Sequence, residues 1–249
     1  MGNKQIVAVW GSPGAGTTVT AVKIARELDS RKNNVVLVLC DDATPMVPVI
    51  APSISEGKSL GELLIMPTLS PTLLQIAIFQ HCIPVGRTLS LLGYQAGENE
   101  ETYGDGDIKQ ARKLISLLRG TADYVVIDCF HQLLENVLTA AAMELSDVVL
   151  RITNADPKSL TNMRSQQPHL AEERFHYDQH VNIINNILPS QDPHPYEDAL
   201  GGNAYELPHI DALKAQFDEG NLLESLSGRE AKLYEPVIRR ITEEAILND

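Results

Sequence analysis

The run VAVWGSPGAGTTVTAVKIARELDS near the start of the chain limits its fold more than any other stretch. Gln5 to Trp10 is mostly apolar and reads as a buried strand, and Gly11 to Gly16 is a loop holding three glycines and a proline. From Thr17 onward Ala21, Ile24, Ala25 and Leu28 recur at helical spacing, with Val22 beside them. Strand, glycine loop and helix N-terminus together aim backbone N–H groups and the helix dipole at one anion. The phosphate-loop pattern is G-x-x-x-x-G-K-[ST]. Gly11-Ser12-Pro13-Gly14-Ala15-Gly16-Thr17-Thr18 meets every fixed position except the lysine, where Thr17 stands. The competing reading is an ordinary β–α turn.

The rest of the chain repeats the same alternation. Asn34 to Cys40 is a second buried strand ending in the acidic turn Asp41-Asp42. Residues 53–64 read as a loop and a short helix, and Ser70-Pro71 starts a helix with a serine cap and a proline in its first turn. Strands are expected at Arg87 to Leu92, Tyr124 to Asp128, Asp147 to Ile152, 181–188 and near Tyr205–Leu207. Helices are expected at 108–118, 132–145, 157–166, 209–219 and, amphipathic, within 231–247. Strands and helices alternating at this spacing predict an α/β fold, a mostly parallel twisted sheet with helices on both faces. No repeat or composition break divides residues 1–249, so one domain is expected. The stretch 97–107, GENEETYGDGD, reads as a mobile acidic surface loop.

Charge narrows the partners. With 33 acidic against 20 basic residues the formal net charge is −13, which argues against a broad basic face for nucleic acid or anionic lipid. The three cysteines, Cys40, Cys82 and Cys129, fit no zinc spacing and read as reduced thiols of a cytosolic protein. No secretory signal or span is expected: the apolar stretch LLQIAIF at 73–79 is too short to cross a bilayer. It reads as core in preference to a partner surface. The acidic residues of the C-terminal amphipathic helix disfavour lipid, so it is expected to pack on the sheet. His176 and His180, at i, i+4, and His194 invite a metal reading, but no carboxylate motif like H-E-x-x-H accompanies them and they read as surface residues.

Ligands of a parallel sheet bind at the carboxyl ends of its strands. The glycine loop, Asp42 and Asp128 all fall on that edge. A loop hydroxyl, Thr18, and a strand-end carboxylate, Asp128, are the pair that holds Mg²⁺ on a nucleoside triphosphate, and Asp42 is placed to orient a water. The bland reading of either aspartate is a solvated strand end or a helix cap.

With these residues in hand, the chain resembles the MinD/ParA class of deviant Walker P-loop ATPases nearly end to end, and most of all its TadZ/CpaE-type branch. VWGSPGAGTTVTAVKIAREL is similar to that family's loop and first helix, NVVLVLCDDA to its second strand, and DYVVIDCF to its Walker B strand. NIINNIL followed by ELPHIDALKAQFDEGNLLE resembles the segment where an asparagine and a proline-containing loop frame adenine. The resemblance implies a site for ATP or ADP with Mg²⁺. Its nucleotide-binding residues are Gly11, Ser12, Gly14, Ala15, Gly16, Thr17, Thr18, Asn185 and Pro208. Thr18 and Asp128 are its metal ligands and Asp42 its catalytic residue.

The resemblance also implies a homodimer working with protein components of a membrane-associated machine, a pilus, secretion or conjugation system. The chain would be cytoplasmic, recruited to the membrane by partners. A nucleotide-free scaffold and a DNA-riding partition ATPase are the alternatives. The family has two loop lysines, and here their positions are Thr17 and Ser12. A lysine–phosphate contact contributes roughly 1.5–3 kcal/mol, so its loss implies weaker nucleotide binding and slow or absent hydrolysis. Lys4, Lys23 or a Lys or Arg from a partner subunit could replace the charge.

Overall fold

The computed structural model describes residues 5–54, 57–66, 70–104 and 106–247. Eight strands form one sheet: β1 Gln5–Gly11, β2 Val35–Leu39, β3 Ile83–Pro84, β4 Leu89–Gly93, β5 Tyr124–Asp128, β6 Val148–Asn154, β7 Val181–Ile187 and β8 Ala204–Pro208. Their order is β3-β4-β2-β5-β1-β6-β7-β8. Every pair is parallel except β3 with β4. The ten α-helices of the described residues are α1 Thr17–Ser30, α2 Val47–Ile50, α3 Leu60–Ile65, α4 Pro71–His81, α5 Ile108–Leu118, α6 Val137–Leu145, α7 Pro157–Leu170, α8 His194–Ala199, α9 Asp211–Asp218 and α10 Gly228–Ile241. The expected α/β architecture is therefore present.

The alternation of side chains along each strand builds two cores. Ile6, Ala8 and Trp10 of β1 point into one, with Val36, Val38 and Ile127, against α3 to α7. Val7 and Val9 point into the other, with Leu37, Leu39 and Val126, against α1, α2, α9 and α10. A strand buried on both faces reads as a continuous apolar run, which is why β1, β2 and β5 were visible without alternation. Tyr234, Ile238, Ile241 and Ile246 lie in the second core, so the C-terminal amphipathic segment packs on the sheet as expected. Among the described residues, no helix is long and apolar enough to cross a membrane.

Several boundaries moved. α6 begins at Val137 rather than 132, because Asn136 caps it by accepting from the Thr139 N–H (2.9 Å). α7 runs past 166 to Leu170 with Pro168 inside it. The stretch 73–79 is split along α4: Leu74, Ala77 and Ile78 are buried, while Leu73, Ile76 and Phe79 are about half exposed. The described start of the acidic loop is tied down at Glu98. Glu98 accepts from Ser59 Oγ (2.6 Å), the Gln95 N–H (2.7 Å) and Tyr103 Oη (2.5 Å). Tyr103 itself lies so flat on Gly61 that a Cβ there would sit 2.1 Å from the ring. Lys4 and residues 55, 56 and 105 lie outside the described residues.

Candidate nucleotide site

Register sets the site. Asp128 is level with Val9 of β1 on one side and Leu39 of β2 on the other. The Cys40 N–H donates to the Asp128 carbonyl (3.0 Å) and the Cys129 N–H to the Val9 carbonyl (2.9 Å). The glycine loop, the Asp41-Asp42 turn and Asp128 therefore leave the sheet at one edge.

The loop is shaped by its glycines. Gly11 ends β1 hard against β6: a Cβ there would lie 2.2 Å from the Ile152 carbonyl oxygen, and the Ser12 N–H donates to that oxygen (3.1 Å). Gly16 precedes α1 with φ +84, a left-handed conformation that costs glycine nothing. Its missing Cβ leaves room for Asn185, whose amide Nδ2 would be only 2.5 Å from that atom. Asn185 Nδ2 donates to the Ala15 carbonyl (2.8 Å), and Asn154 Nδ2 donates to the Gly14 carbonyl (3.4 Å). Asn186, at φ +56, donates to Asn154 Oδ1 (3.0 Å). Two asparagines, Asn154 of β6 and Asn185 of β7, thus occupy loop carbonyls, and Asn186 braces Asn154.

In front of the loop lies a cavity of about 630 Å³, within the range of small-molecule sites. One end is polar, with Ser12, Gly14, Thr17, Thr18, Asp41 and Asp128. The other is apolar, with Met46, Ile210, Leu213 and Phe217, and has His209 and Lys214 among it. Ile210, Leu213, Lys214 and Phe217 follow i, i+3, i+4, i+7 spacing, one face of α9 and its lead-in.

Most of the sequence-predicted residues meet here: Ser12, Gly14, Gly16, Thr17, Thr18, Asp128 and Asn185 all line the cavity. Gly11 and Ala15 are buried behind the loop as its supports. Pro208 ends β8 one residue before His209, which does line the cavity. Asp42 does not line it. That carboxylate borders a separate 120 Å³ pocket with Tyr94, Glu100 and Asn136, and its neighbour Asp41 faces the loop instead. Lys23 turns away as well: its ammonium donates to Gln216 Oε1 (2.7 Å) and to the Leu222 and Glu224 carbonyls (2.8 and 2.7 Å). Burial, with Arg26 nearby, lowers its pKa to about 8. Lys214 is the one lysine on the cavity wall among the described residues, and it pairs with Asp218 (2.8 Å). Sequence reasoning missed the apolar end, although the 3.6-residue period of residues 209–219 held the signal.

The polar end holds a buried carboxylate and a buried hydroxyl. Asp128 is 3% exposed, and its Oδ1 has no hydrogen-bond partner among the described residues. Burial pushes its carboxyl up to about 7; the Thr18 hydroxyl beside it works against that, and Asp41 adds to it. Burial also raises Asp41, although the Thr44 N–H (2.7 Å) holds it partly back. The Ser12 hydroxyl is likewise buried with no partner. Orphaned buried oxygens of this kind each cost about 1–3 kcal/mol, more when charged. A divalent ion beside Asp128 and a phosphate oxygen beside Ser12 would satisfy both, so the donor set fits a Mg²⁺-nucleotide. Asp128 and Thr18 would hold the metal, and the loop amides of Gly14, Gly16, Thr17 and Thr18 would hold the phosphates, since the Ala15 N–H donates to the Ser12 carbonyl (3.0 Å).

No family model matches the chain, and no curated protein matches it. Solved structures do. The cell division ATPase MinD of Pyrococcus furiosus is 18% identical, with a TM-score of 0.76 over 98% of this chain and 100% of that one. The septum site-determining protein MinD of Pyrococcus horikoshii, solved with Mg-ADP, is 16% identical, with a TM-score of 0.75 over 98% of each chain. A ParA family ATPase from Chlorobium tepidum is 14% identical, with a TM-score of 0.77 over 96% of this chain and 99% of that one. With the eight-stranded order and the loop-centred cavity already described, these matches establish that the chain has the fold of the MinD and ParA ATPases.

Proposed function

We propose that the chain binds an adenine nucleotide with Mg²⁺, weakly, and turns it over slowly or not at all. The observation that carries this reading is the buried Asp128 carboxylate, one oxygen of which has no partner among the described residues, on the cavity that the glycine loop also lines. A similarly folded MinD holds Mg-ADP. The apolar end, closed by Ile210, Leu213 and Phe217, suits a flat base, with Asn185 and Pro208 on the strands that flank it. The loop amides would bind phosphates, Thr18 and Asp128 would orient the metal, and burial would exclude water. The bound metal would supply the positive charge that Thr17 and Ser12 do not.

On this reading nucleotide sets a monomer–dimer equilibrium. The dimer acts as a positioning or assembly factor for a membrane-associated machine such as a pilus, secretion or conjugation system, whose protein components recruit the cytoplasmic chain to the membrane. The TadZ/CpaE-like resemblance of the sequence supports that role. A nucleotide-free scaffold is the second reading, favoured by the missing lysines and by the commitment of Lys23 elsewhere. Light scattering on the purified chain separates them. The expected result is a monomer that dimerises with Mg²⁺-ATP and reverts when the nucleotide is removed. A dimer of equal strength without nucleotide favours the scaffold, and salt-sensitive binding to non-specific DNA favours a partition ATPase.

A further inference from the structure

On the far edge of the sheet, away from the loop, three residues with metal-ligating side chains come together from two elements. His194 and Glu197 sit at i, i+3 on α8, and Glu206 is on the edge strand β8. One ligand atom from each, imidazole nitrogen or carboxylate oxygen, lies within 4.8 Å of the other two. The sequence hides this arrangement because Glu206 is nine residues beyond Glu197. The chain between them folds back through Gly201, Gly202 and Asn203, all with positive φ (99, 80 and 54), a turn that glycine and asparagine make at little cost.

The cluster is held in place. Glu197 Oε1 accepts the Ala204 N–H (3.0 Å), and the Glu197 carbonyl accepts the Gly202 N–H (2.9 Å). Its other oxygen, Oε2, faces His194 Nδ1 at 3.4 Å. The His194 N–H is in turn held by Asp192 Oδ1 (3.1 Å). Glu197 and Glu206 each bring a carboxylate to the imidazole. Two carboxylates thus converge on a single imidazole, which is the field a cation would meet.

We propose that His194, Glu197 and Glu206 bind a divalent transition-metal ion, and that Zn²⁺ is the ion they suit. An imidazole with two carboxylates matches Zn²⁺ and disfavours Mg²⁺ and Ca²⁺, which take oxygen donors. Zn–N and Zn–O bonds are about 2.0–2.2 Å, so the ligand atoms must draw together on binding. His194 and Glu206 are exposed and can rotate to do so, while Glu197 is the fixed anchor. Three protein ligands leave the remaining positions to water. The ion would cross-link α8 to β8 and tie the segment between β7 and β8 onto the sheet edge. Among the described residues this cluster has no member in the nucleotide cavity, so it is independent of the proposed nucleotide site.

The test is a Zn²⁺ titration of the nucleotide-free chain against a chromophoric chelator, repeated with Glu206→Gln, His194→Ala and, as a control histidine, His176→Ala. Circular dichroism of each variant checks that the fold is kept. The expected result is one Zn²⁺ per chain, unaffected by millimolar Mg²⁺. Glu206→Gln and His194→Ala should each weaken it by about tenfold or more, and His176→Ala should leave it unchanged. Co²⁺ should show a visible absorption band that the same two variants lose. No binding at roughly 100 µM Zn²⁺, or binding that neither Glu206→Gln nor His194→Ala weakens, would overturn the proposal.

Discussion

Replacing Asp128 by asparagine is expected to stabilise the free protein at pH 8, to leave it nearly unchanged near pH 4, and to abolish any strengthening of nucleotide binding by Mg²⁺. The sign follows from burial. Folding raises the Asp128 carboxyl from 3.8 to about 7. Well below pH 3.8 the group is protonated in both folded and unfolded chains and contributes no difference. Between pH 4 and 7 the unfolded chain ionises while the folded one keeps its proton, so stability falls as pH rises. Above pH 7 both are ionised and the whole penalty is present, about 4 kcal/mol at one pKa unit per 1.4 kcal/mol.

Asparagine removes the charge but keeps a buried polar group, so about half of that gain is a fair expectation. For a chain of this length about 2 kcal/mol corresponds to a rise in Tm of roughly 4–8 °C. The gap between variant and wild type should open from pH 4 to pH 8, as read by thermal unfolding across that range. A carboxylate kept at such a cost is characteristic of a site that is completed by a cation. If Asp128→Asn is less stable than wild type at every pH, the buried charge is structural and the metal-site reading fails.

The second large effect is a gain. Thr17 is the first residue of α1 and lines the cavity beside Thr18. Thr17→Lys restores the lysine of the phosphate-loop pattern on a loop whose glycine conformations are already present. One charge-assisted bond to phosphate contributes roughly 1.5–3 kcal/mol, so ATP should bind about one to two decades more tightly. Thr17→Met is the control, because it adds a comparable stem without the charge and should leave affinity near wild type. Affinity measured by calorimetry for the two variants separates charge from bulk. Equal affinities in Thr17→Lys and wild type would mean that the loop does not present its amides to phosphate.

Much of this was legible in the sequence, for reasons that differ by element. α5 and β5 match their expected boundaries, Ile108–Leu118 and Tyr124–Asp128, because a clear helical period and a continuous buried run define them. β3, α2 and α8 were not expected, since two to six residues carry too little period to register. The polar end of the site was readable because glycine spacing and strand-end carboxylates are local signals. Asp41 against Asp42 was not. Past Leu39 the strand ends, alternation no longer says which side chain faces the loop, and the local cap from Asp41 to the Thr44 N–H decides it. The asparagine struts from 154, 185 and 186 depend on β6 lying beside β1 and β7 beside β6, which only the sheet order supplies.

The most direct test is isothermal titration of the wild-type chain with ATP and with ADP, each with Mg²⁺ and with EDTA, alongside Asp128→Ala. The expected result is saturable binding in the micromolar range that Mg²⁺ strengthens and Asp128→Ala weakens. No saturable binding of either nucleotide at millimolar concentration, with or without Mg²⁺, would contradict the nucleotide reading and leave the loop as a structural remnant of the fold.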